Sequence, residues 1–317
     1  MKVIRGIPPS LPRTPCALTI GNFDGVHLGH QALLKQLHEV AQARHLQTCI
    51  LTFEPHPKEF FAPQNAPTRI LSLRDKLAAL KETNIDLVVV EHFNANFAKK
   101  TADEFVKDIL VHGLNTQHIV IGDDFHYGSK RAGNIDSLRI AGAQYGFTVQ
   151  ALETIHDSQQ RRISSTAVRT ALKNGALQEA QELLGRPFII SGHVIHGKKL
   201  GRTLGFPTLN MALSSKLHQR PPAMTGIFVV QVHGIGNAPL PAVASLGFRP
   251  TVEDAGRVLL ETHIFDFNQD VYGRVIQIEF LKKLRDEAKY SDLTSLQQAI
   301  EADATAAREY FKNSHVR

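Results

Sequence analysis

Between residues 17 and 152, short apolar runs of β-type residues alternate with stretches whose apolar positions recur at helical spacing. Residues 17–20 (Ala-Leu-Thr-Ile) lead through a polar turn into 31–44, where Leu33, Leu37, Val40 and Ala41 fall on one helical face. The order then repeats. Residues 48–53 precede a helix opening at Ser72 with Asp75 three residues on, and 87–91 precede one opening at Thr101 with Glu104 three on, a capping-box spacing. Residues 118–122 and 147–152 complete about five strands, each nearly all apolar and so expected to be covered on both faces. This rhythm predicts an α/β doubly wound parallel sheet whose ligands sit beyond the carboxyl ends of the strands.

After two helical stretches, 165–173 and 176–184, the pattern changes at Gly185-Arg186-Pro187. Residues 188–196, 226–232, 242–247, 258–267 and 274–280 read as strands separated by Gly and Pro turns, with no helix between them. An antiparallel β-barrel is expected, closed by one amphipathic helix over about 292–311. No repeat relates the halves, and the expected domains are 1–184 and 185–317.

Composition narrows the class of function. With 43% hydrophobic and 21% charged residues the chain is ordinary globular protein, not disordered or low-complexity. No apolar run approaches the roughly 18 residues of a membrane span, and the first 15 residues lack the apolar core of a secretory leader, so a cytoplasmic protein with no membrane partner is expected. The two cysteines, Cys16 and Cys49, are too few for a disulfide scaffold or a four-thiolate zinc site and read as buried and reduced. The net charge of +6 suits small anionic ligands such as nucleotides but is too diffuse for nucleic acid; no obligate protein partner is expected.

The first chemical constellation, Gly21-Asn-Phe-Asp-Gly-Val-His-Leu-Gly-His30, lies directly between the first strand and its helix. Such a junction is a natural anion site, because unpaired backbone N–H groups and the helix dipole face the ligand. His27 and His30 can both donate to phosphate oxygens, and Gly29 leaves room for close approach. Against this stand two blander readings: a chance surface pair of histidines, and a zinc site, which lacks a third ligand in register. Asn22 and Asp24 are equally readable as turn residues, and Ser165 and Thr166 as a helix N-cap. Neither a dinucleotide fingerprint nor a Walker loop is present; Gly192 to Lys199 comes nearest but has Lys199 where a hydroxyl is needed and no helix after it.

The second constellation is the loop-like stretch from Gly197 to Asn210, in which Lys198, Lys199 and Arg202 sit among Gly197, Gly201 and Gly205. Glycine backbone with cations suits phosphates, whereas a solvated flexible turn has the same composition. Glu261 lies in an otherwise apolar strand, where an unpaired carboxylate is costly unless it serves as a base; the alternative is an outward-facing residue on an alternating strand.

These residues resemble a known family. His27-Leu-Gly-His30 looks like the HxGH signature of nucleotidyltransferases and Ile163-Ser-Ser-Thr-Ala-Val-Arg169 like the ISSTxxR segment that accompanies it. With Phe53-Glu-Pro-His-Pro57 and Gly122-Asp-Asp-Phe-His-Tyr-Gly128 they resemble the adenylyltransferase half of the bacterial bifunctional riboflavin kinase/FAD synthetases. Residues 201–210 resemble the GRxLGFPTxN kinase signature, with Leu209 where that family has Ala, and 260–273 resemble its ExHI and DxYG stretch.

The resemblance implies that the first half transfers AMP from ATP to FMN. His27 and His30 would steady the ATP phosphates, Ser165, Thr166 and Arg169 would hold the β- and γ-phosphates, and Gly21, Asn22, Phe23, Asp24, Gly29 and Asp124 would line the nucleotide or flavin site. It implies that a six-stranded-type barrel phosphorylates riboflavin. There Gly197, Lys198, Gly201, Arg202, Gly205 and Pro207 would cradle ATP, Thr208 and Asn210 would hold Mg2+, and Glu261 would take the proton of the riboflavin 5'-hydroxyl. The sequence departs from the family pattern at His126, where Arg is usual, and at Ser245 and Phe248. The competing expectations are a nucleotidyltransferase acting on another phosphate acceptor and a flavin sensor whose barrel binds RNA.

Overall fold

Five consecutive buried residues, Cys16–Ile20 (β2), run through the middle of a six-stranded sheet, with β1 (Lys2–Arg5), β3 (Gln47–Glu54), β4 (Leu87–His92), β5 (Thr116–Gly122) and β6 (Thr148–Leu152) around it. The structure is a computed structural model and describes residues 1–7, 14–156, 160–197, 205–213, 222–248 and 258–314. The sheet order is β1-β4-β3-β2-β5-β6, and every pair is parallel. From β2 the chain winds outward through β3 and β4, then returns to the far side of β2 with β5 and β6. The topological switch point therefore lies between β2 and β5, and the crevice beyond their carboxyl ends is where ligands of such sheets bind.

The apolar core matches the two-faced burial expected of these strands: Leu18, Cys49, Leu51, Val89, Ile119 and Ile121 are all fully enclosed. Both cysteines are free and buried. The helix after β2, Leu28–Ala43, turns Leu33, Leu34, Leu37 and Ala41 inward. The Thr101/Glu104 capping box is formed, Thr101 Oγ1 accepting from the Glu104 N–H at 3.2 Å and Glu104 Oε2 from the Thr101 N–H at 2.7 Å. Beyond it the chain winds more widely, as a π-helix over Phe105–Gly113.

The sheet has one strand more than the sequence pattern indicated. β1 is a short edge strand in which Lys2 and Arg5 flank Val3 and Ile4, mostly exposed, so it lacks the apolar run that marked the others. A helix between β5 and β6, Ile135–Tyr145, was also not expected; Asn134 caps its start and Gly146, at φ 85°, ends it.

The second unit joins Thr68–Asp75 to Ser165–Arg317. Helices Ser165–Lys173 and Leu177–Leu184 lead into a closed antiparallel barrel of β7 (Ile189–Ile195), β8 (Leu209–Ala212), β9 (Gly226–His233), β10 (Leu240–Phe248), β11 (Val258–Ile264) and β12 (Val275–Arg285), in the order β10-β11-β8-β7-β12-β9. Phe228, Val230, Ala244, Leu246, Leu260, Ile276 and Ile278 fill its interior. The C-terminal helix, Leu293–Ser314, packs Ala304, Ala307 and Phe311 against Val229, Val243 and Phe265 on the outer wall. A two-pronged pair of Arg285 with Asp303, at 2.8 and 2.6 Å, fixes that helix to the end of β12.

One expectation is corrected here. The stretch from Gly197 to Asn210 does not remain a loop to its end: Leu209 and Asn210 open β8, because Leu209 and Met211 alternate into the core and complete the barrel between β7 and β11. Ser245 lies in β10, within the strand expected over 242–247, and that strand runs on to Phe248. Residues 192–195 lie in β7, which disposes of a phosphate loop there.

One buried histidine makes stability depend on pH. Arg44 Nη1 donates to Thr148 Oγ1 at 2.8 Å, and His118 Nδ1 lies 2.6 Å from the same oxygen. Burial, reinforced by the Arg44 charge, depresses the His118 pKa. The unfolded chain therefore binds the proton more readily, and stability is lost as pH falls through the ordinary imidazole range. Thermal melting should show His118→Gln losing less Tm than the parent between about pH 7.5 and about pH 5.5; equal losses would mean that His118 does not titrate on unfolding.

Candidate functional sites

The turn that follows β2 is shaped by backbone that few residues tolerate. Phe23 (φ 48°), Gly25 (φ 89°) and Val26 (φ 42°) are all left-handed. For a bulky aromatic and a β-branched residue this costs about 1–3 kcal/mol each and persists only where the surroundings enforce it. The enforcement is burial: Phe23 and Val26 are each 1% exposed, and a side chain at Gly21 would press on the Phe23 ring. The turn delivers His27 as N-cap of the helix, its Nδ1 accepting from the His30 N–H at 3.3 Å.

That bond fixes a tautomer. With Nδ1 accepting, the proton of neutral His27 sits on Nε2 and is available to donate. The rings of His27 and His30 stack at 3.7 Å and 20°, and the Phe23 ring leans on His30 at 5.1 Å. A side chain on Gly29 would lie 3.2 Å from the His27 ring and 3.3 Å from the Ile163 carbonyl oxygen. Glycine at 29 thus lets the segment before Ser165 approach the histidine pair. Asp24 is buried, and Asn22 Oδ1 is a buried acceptor with no hydrogen-bond partner. Gly21, Asn22, Phe23, Asp24, His27, Gly29 and His30 are therefore brought together at the switch point. No group of three or more His, Cys, Asp and Glu side chains suited to a metal occurs among the described residues, so the zinc alternative gains nothing.

The loop beyond β5 stands on the other side of the switch point. Asp124 makes an exposed pair with Arg162, 2.9 Å long. His126 Nδ1 lies 3.0 Å from the Asp124 carbonyl oxygen and 3.2 Å from Arg131 Nη2. Arg131, a residue the sequence reading passed over because it lies outside the motif, thus brings a guanidinium to the side of His126.

Ser165 and Thr166 open the first helix of the second unit, and Arg169 Nε donates to the Thr68 carbonyl at 2.6 Å.

In the barrel, Thr208 immediately precedes β8, and Asn210 pairs across the ladder with Glu261, itself opposite Ser245. Burial alternates strictly along β11, with Leu260 and Thr262 inward and Glu261 on the partly exposed face. Of the two readings of Glu261, the outward-facing one describes its orientation, and it stands in register with Asn210. Asn210 is only 4% exposed, and its Oδ1 has no hydrogen-bond partner. Gly197 closes over that amide so tightly that any Cβ would overlap it. Gly205, at φ 87°, adopts backbone that favours glycine. Lys198, Gly201 and Arg202 lie outside the described residues.

A cavity of about 330 Å3 opens beside Thr208 and Pro207, lined by Thr262, Asp270 and Tyr272 among others. The sequence reading missed Glu287. Its carboxylate presses against Gly247, and burial raises its pKa, with the Glu261 charge adding to the shift and Arg285 opposing it.

Comparison with known proteins matches each half of the chain to a family. Residues 11–167 match the FAD synthetase family and residues 184–311 the riboflavin kinase family. The bifunctional riboflavin kinase/FMN adenylyltransferase of Escherichia coli (strain K12) is 45% identical over 313 residues, 98% of each chain. The protein of that name from Haemophilus influenzae is 44% identical over 298 residues, covering 94% of this chain and 95% of its own. Among solved structures, one titled a macrolide-efflux protein from Streptococcus pneumoniae superposes with a TM-score of 0.77 at 29% identity, covering 96% of this chain and 98% of that one. No described helix here is long and apolar enough to cross a membrane. A parallel sheet with paired histidines at its switch point, a closed barrel with Asn210 facing Glu261, and full-length likeness to these enzymes place the chain in the bifunctional riboflavin kinase/FMN adenylyltransferase family.

Proposed function

We propose that the two reactions of this enzyme are divided between the turn at Gly21–His30 and the barrel face bearing Thr208, Asn210 and Glu261, with the functional boundary at 184/185. In the first, a phosphate oxygen of FMN attacks the α-phosphorus of ATP and pyrophosphate leaves. His27, through Nε2–H, and His30 donate to the phosphate oxygens as charge develops, which suits a transfer that depends on positioning and charge neutralisation. Ser165, Thr166 and Arg169 hold the β- and γ-phosphates. Asn22, Phe23, Asp24 and Asp124 line the nucleotide or flavin.

In the second, the riboflavin 5'-oxygen attacks the γ-phosphorus, ADP leaves, and Glu261 takes the hydroxyl proton. Gly197, Lys198, Gly201, Arg202, Gly205 and Pro207 cradle the triphosphate. Thr208 and Asn210 supply hard oxygen donors, the class that magnesium prefers. Mg2+ held there with ATP would offset phosphate charge. The observation that carries this reading is Asn210 Oδ1, a buried acceptor left without a hydrogen-bond partner beside a carboxylate. The same reading has the enzyme working in the cytoplasm on riboflavin, FMN and ATP, and not on nucleic acid, in keeping with its diffuse charge of +6.

Gly197→Ala tests the cradle. The added methyl must displace the Asn210 amide, a distortion of about 1–3 kcal/mol, and should cut FMN formation at least about tenfold. Chromatography of products from Mg-ATP and riboflavin, then from Mg-ATP and FMN, reads both steps. FMN formation at the parent rate would remove Asn210 from the phosphate site, and loss of FAD formation from supplied FMN would show general damage.

A further inference from the structure

His263 follows Glu261 by two residues on the same face of β11, and none of the roles above uses it. Its Nδ1 lies 2.8 Å from the carbonyl oxygen of Pro207. A carbonyl only accepts, so Nδ1 carries the proton. The ring is held edge-on between Phe206, at 5.5 Å and 77°, and Phe265, at 5.8 Å and 72°. Phe265 is backed in turn by the guanidinium of Arg308, 4.3 Å above its ring, and Arg308 is forked to Asp266 at 3.0 and 3.1 Å. The imidazole therefore sits on a braced support.

What it grips matters because of where the ladder stops. The β8–β11 register ends at the pair Leu209 with Thr262. Asn210 is set by its own pairing with Glu261, but Thr208 precedes the first paired residue. Pro207 has no N–H to offer a neighbour. Its carbonyl shares one rigid peptide plane with the Thr208 N–H, so a bond to that oxygen sets the direction in which Thr208 leaves the plane. His263 is thus the group that ties Thr208 to the strand bearing Glu261.

We infer that His263 is a positioning residue of the kinase reaction, fixing the Pro207 carbonyl so that the Thr208 hydroxyl is aligned with Asn210 toward the metal-bound phosphates of ATP. The inference rests on the reading that Thr208 and Asn210 are the metal-side oxygens. Asparagine places an amide N–H where Nδ1–H stands, phenylalanine keeps the ring but not the bond, and alanine removes both.

His263→Ala and His263→Phe should raise KM for Mg-ATP in FMN formation about fivefold, the scale of one net hydrogen bond, while KM for riboflavin and the rate of FMN adenylylation stay at parent values. His263→Asn should recover KM to within about twofold. Independently of turnover, amide hydrogen exchange at Thr208–Asn210 in the nucleotide-free protein should quicken in the alanine and phenylalanine variants and return toward the parent in the asparagine variant. An unchanged KM and unchanged exchange in His263→Ala, or an asparagine variant no better than alanine, would overturn the inference. Asn210→Ala separates this from the underlying reading. If that variant loses phosphorylation while His263→Ala does not, His263 alone is excluded; if Asn210→Ala behaves as the parent, the metal-side assignment itself has failed.

Discussion

Replacing both His27 and His30 by alanine should lower FAD formation from FMN by on the order of 10^3-fold, the scale of losing preorganised donors to developing charge, while FMN still accumulates from riboflavin at the parent rate. The size of the effect follows from the geometry. The rings are stacked at 3.7 Å, the His30 N–H dictates the His27 tautomer, and the left-handed residues of the turn exist to hold them at the helix start. Strain of that kind is retained where a site needs exact placement. Each ring also packs on the other, so the single changes should not be additive: His27→Ala lets His30 relax, and the second substitution adds less than the first. The helix loses a cap worth about 1 kcal/mol, which the large core of the sheet absorbs without unfolding. Product chromatography with riboflavin and with FMN as alternative substrates measures both steps. Parallel loss of the two activities in a protein of unchanged circular dichroism would refute the division of labour.

How much of this was legible beforehand depended on the kind of signal. The parallel strands announced themselves because burial on both faces leaves almost no polar residue in Cys16–Ile20 or in the centre of β5. β1 and the helix Ile135–Tyr145 did not. The first is a charged edge, and the second carries only two buried residues, Leu138 and Gly142, too few to make a periodic stripe. The turn at Gly21–His30 was readable as an anion site because its residue types and its place between strand and helix coincide. That His27 and His30 stack, and that one fixes the proton of the other, depends on φ/ψ values no residue pattern encodes.

The barrel site was legible as a list of residues and not as a surface. Asn210 and Glu261 are 51 positions apart in sequence, and only the antiparallel register sets them opposite each other. Glu261 reads equally as a base in an apolar strand or as an outward-facing residue, because its neighbours Leu259, Leu260 and Ile264 are all apolar. The alternation that decides between them is hidden, since Leu259 shares the half-exposed face with Glu261. Arg131 and Glu287 belong to no motif. Each becomes visible only as a neighbour, Arg131 of His126 and Glu287 of Gly247, and neighbours made by folding leave no trace in local sequence.

The presence of Glu287 makes the second large effect a discriminating one. Glu261→Gln should reduce kcat for FMN formation about 10^2- to 10^4-fold, the contribution of a positioned general base, with KM for riboflavin and Mg-ATP little changed. Glutamine keeps the shape of the side chain and its place opposite Asn210 but cannot accept the hydroxyl proton. Glu287 is the rival for that role, being a second carboxylate whose pKa is raised by burial and further by the charge of Glu261. Its oxygens, however, are pressed against Gly247, whereas Glu261 stands in register with Asn210. Proximity to the metal-side amide decides between them, so Glu287→Gln should retain most of the turnover. Removing the Glu261 charge also relieves one of the two influences that raise the Glu287 pKa. If Glu287 served as base, Glu261→Gln would therefore keep its rate and shift the pH profile of kcat to lower pH. Initial rates of FMN formation across pH for the two variants distinguish the cases: a collapsed kcat in Glu261→Gln beside an active Glu287→Gln supports Glu261 as the base, and the reverse pattern transfers the role to Glu287.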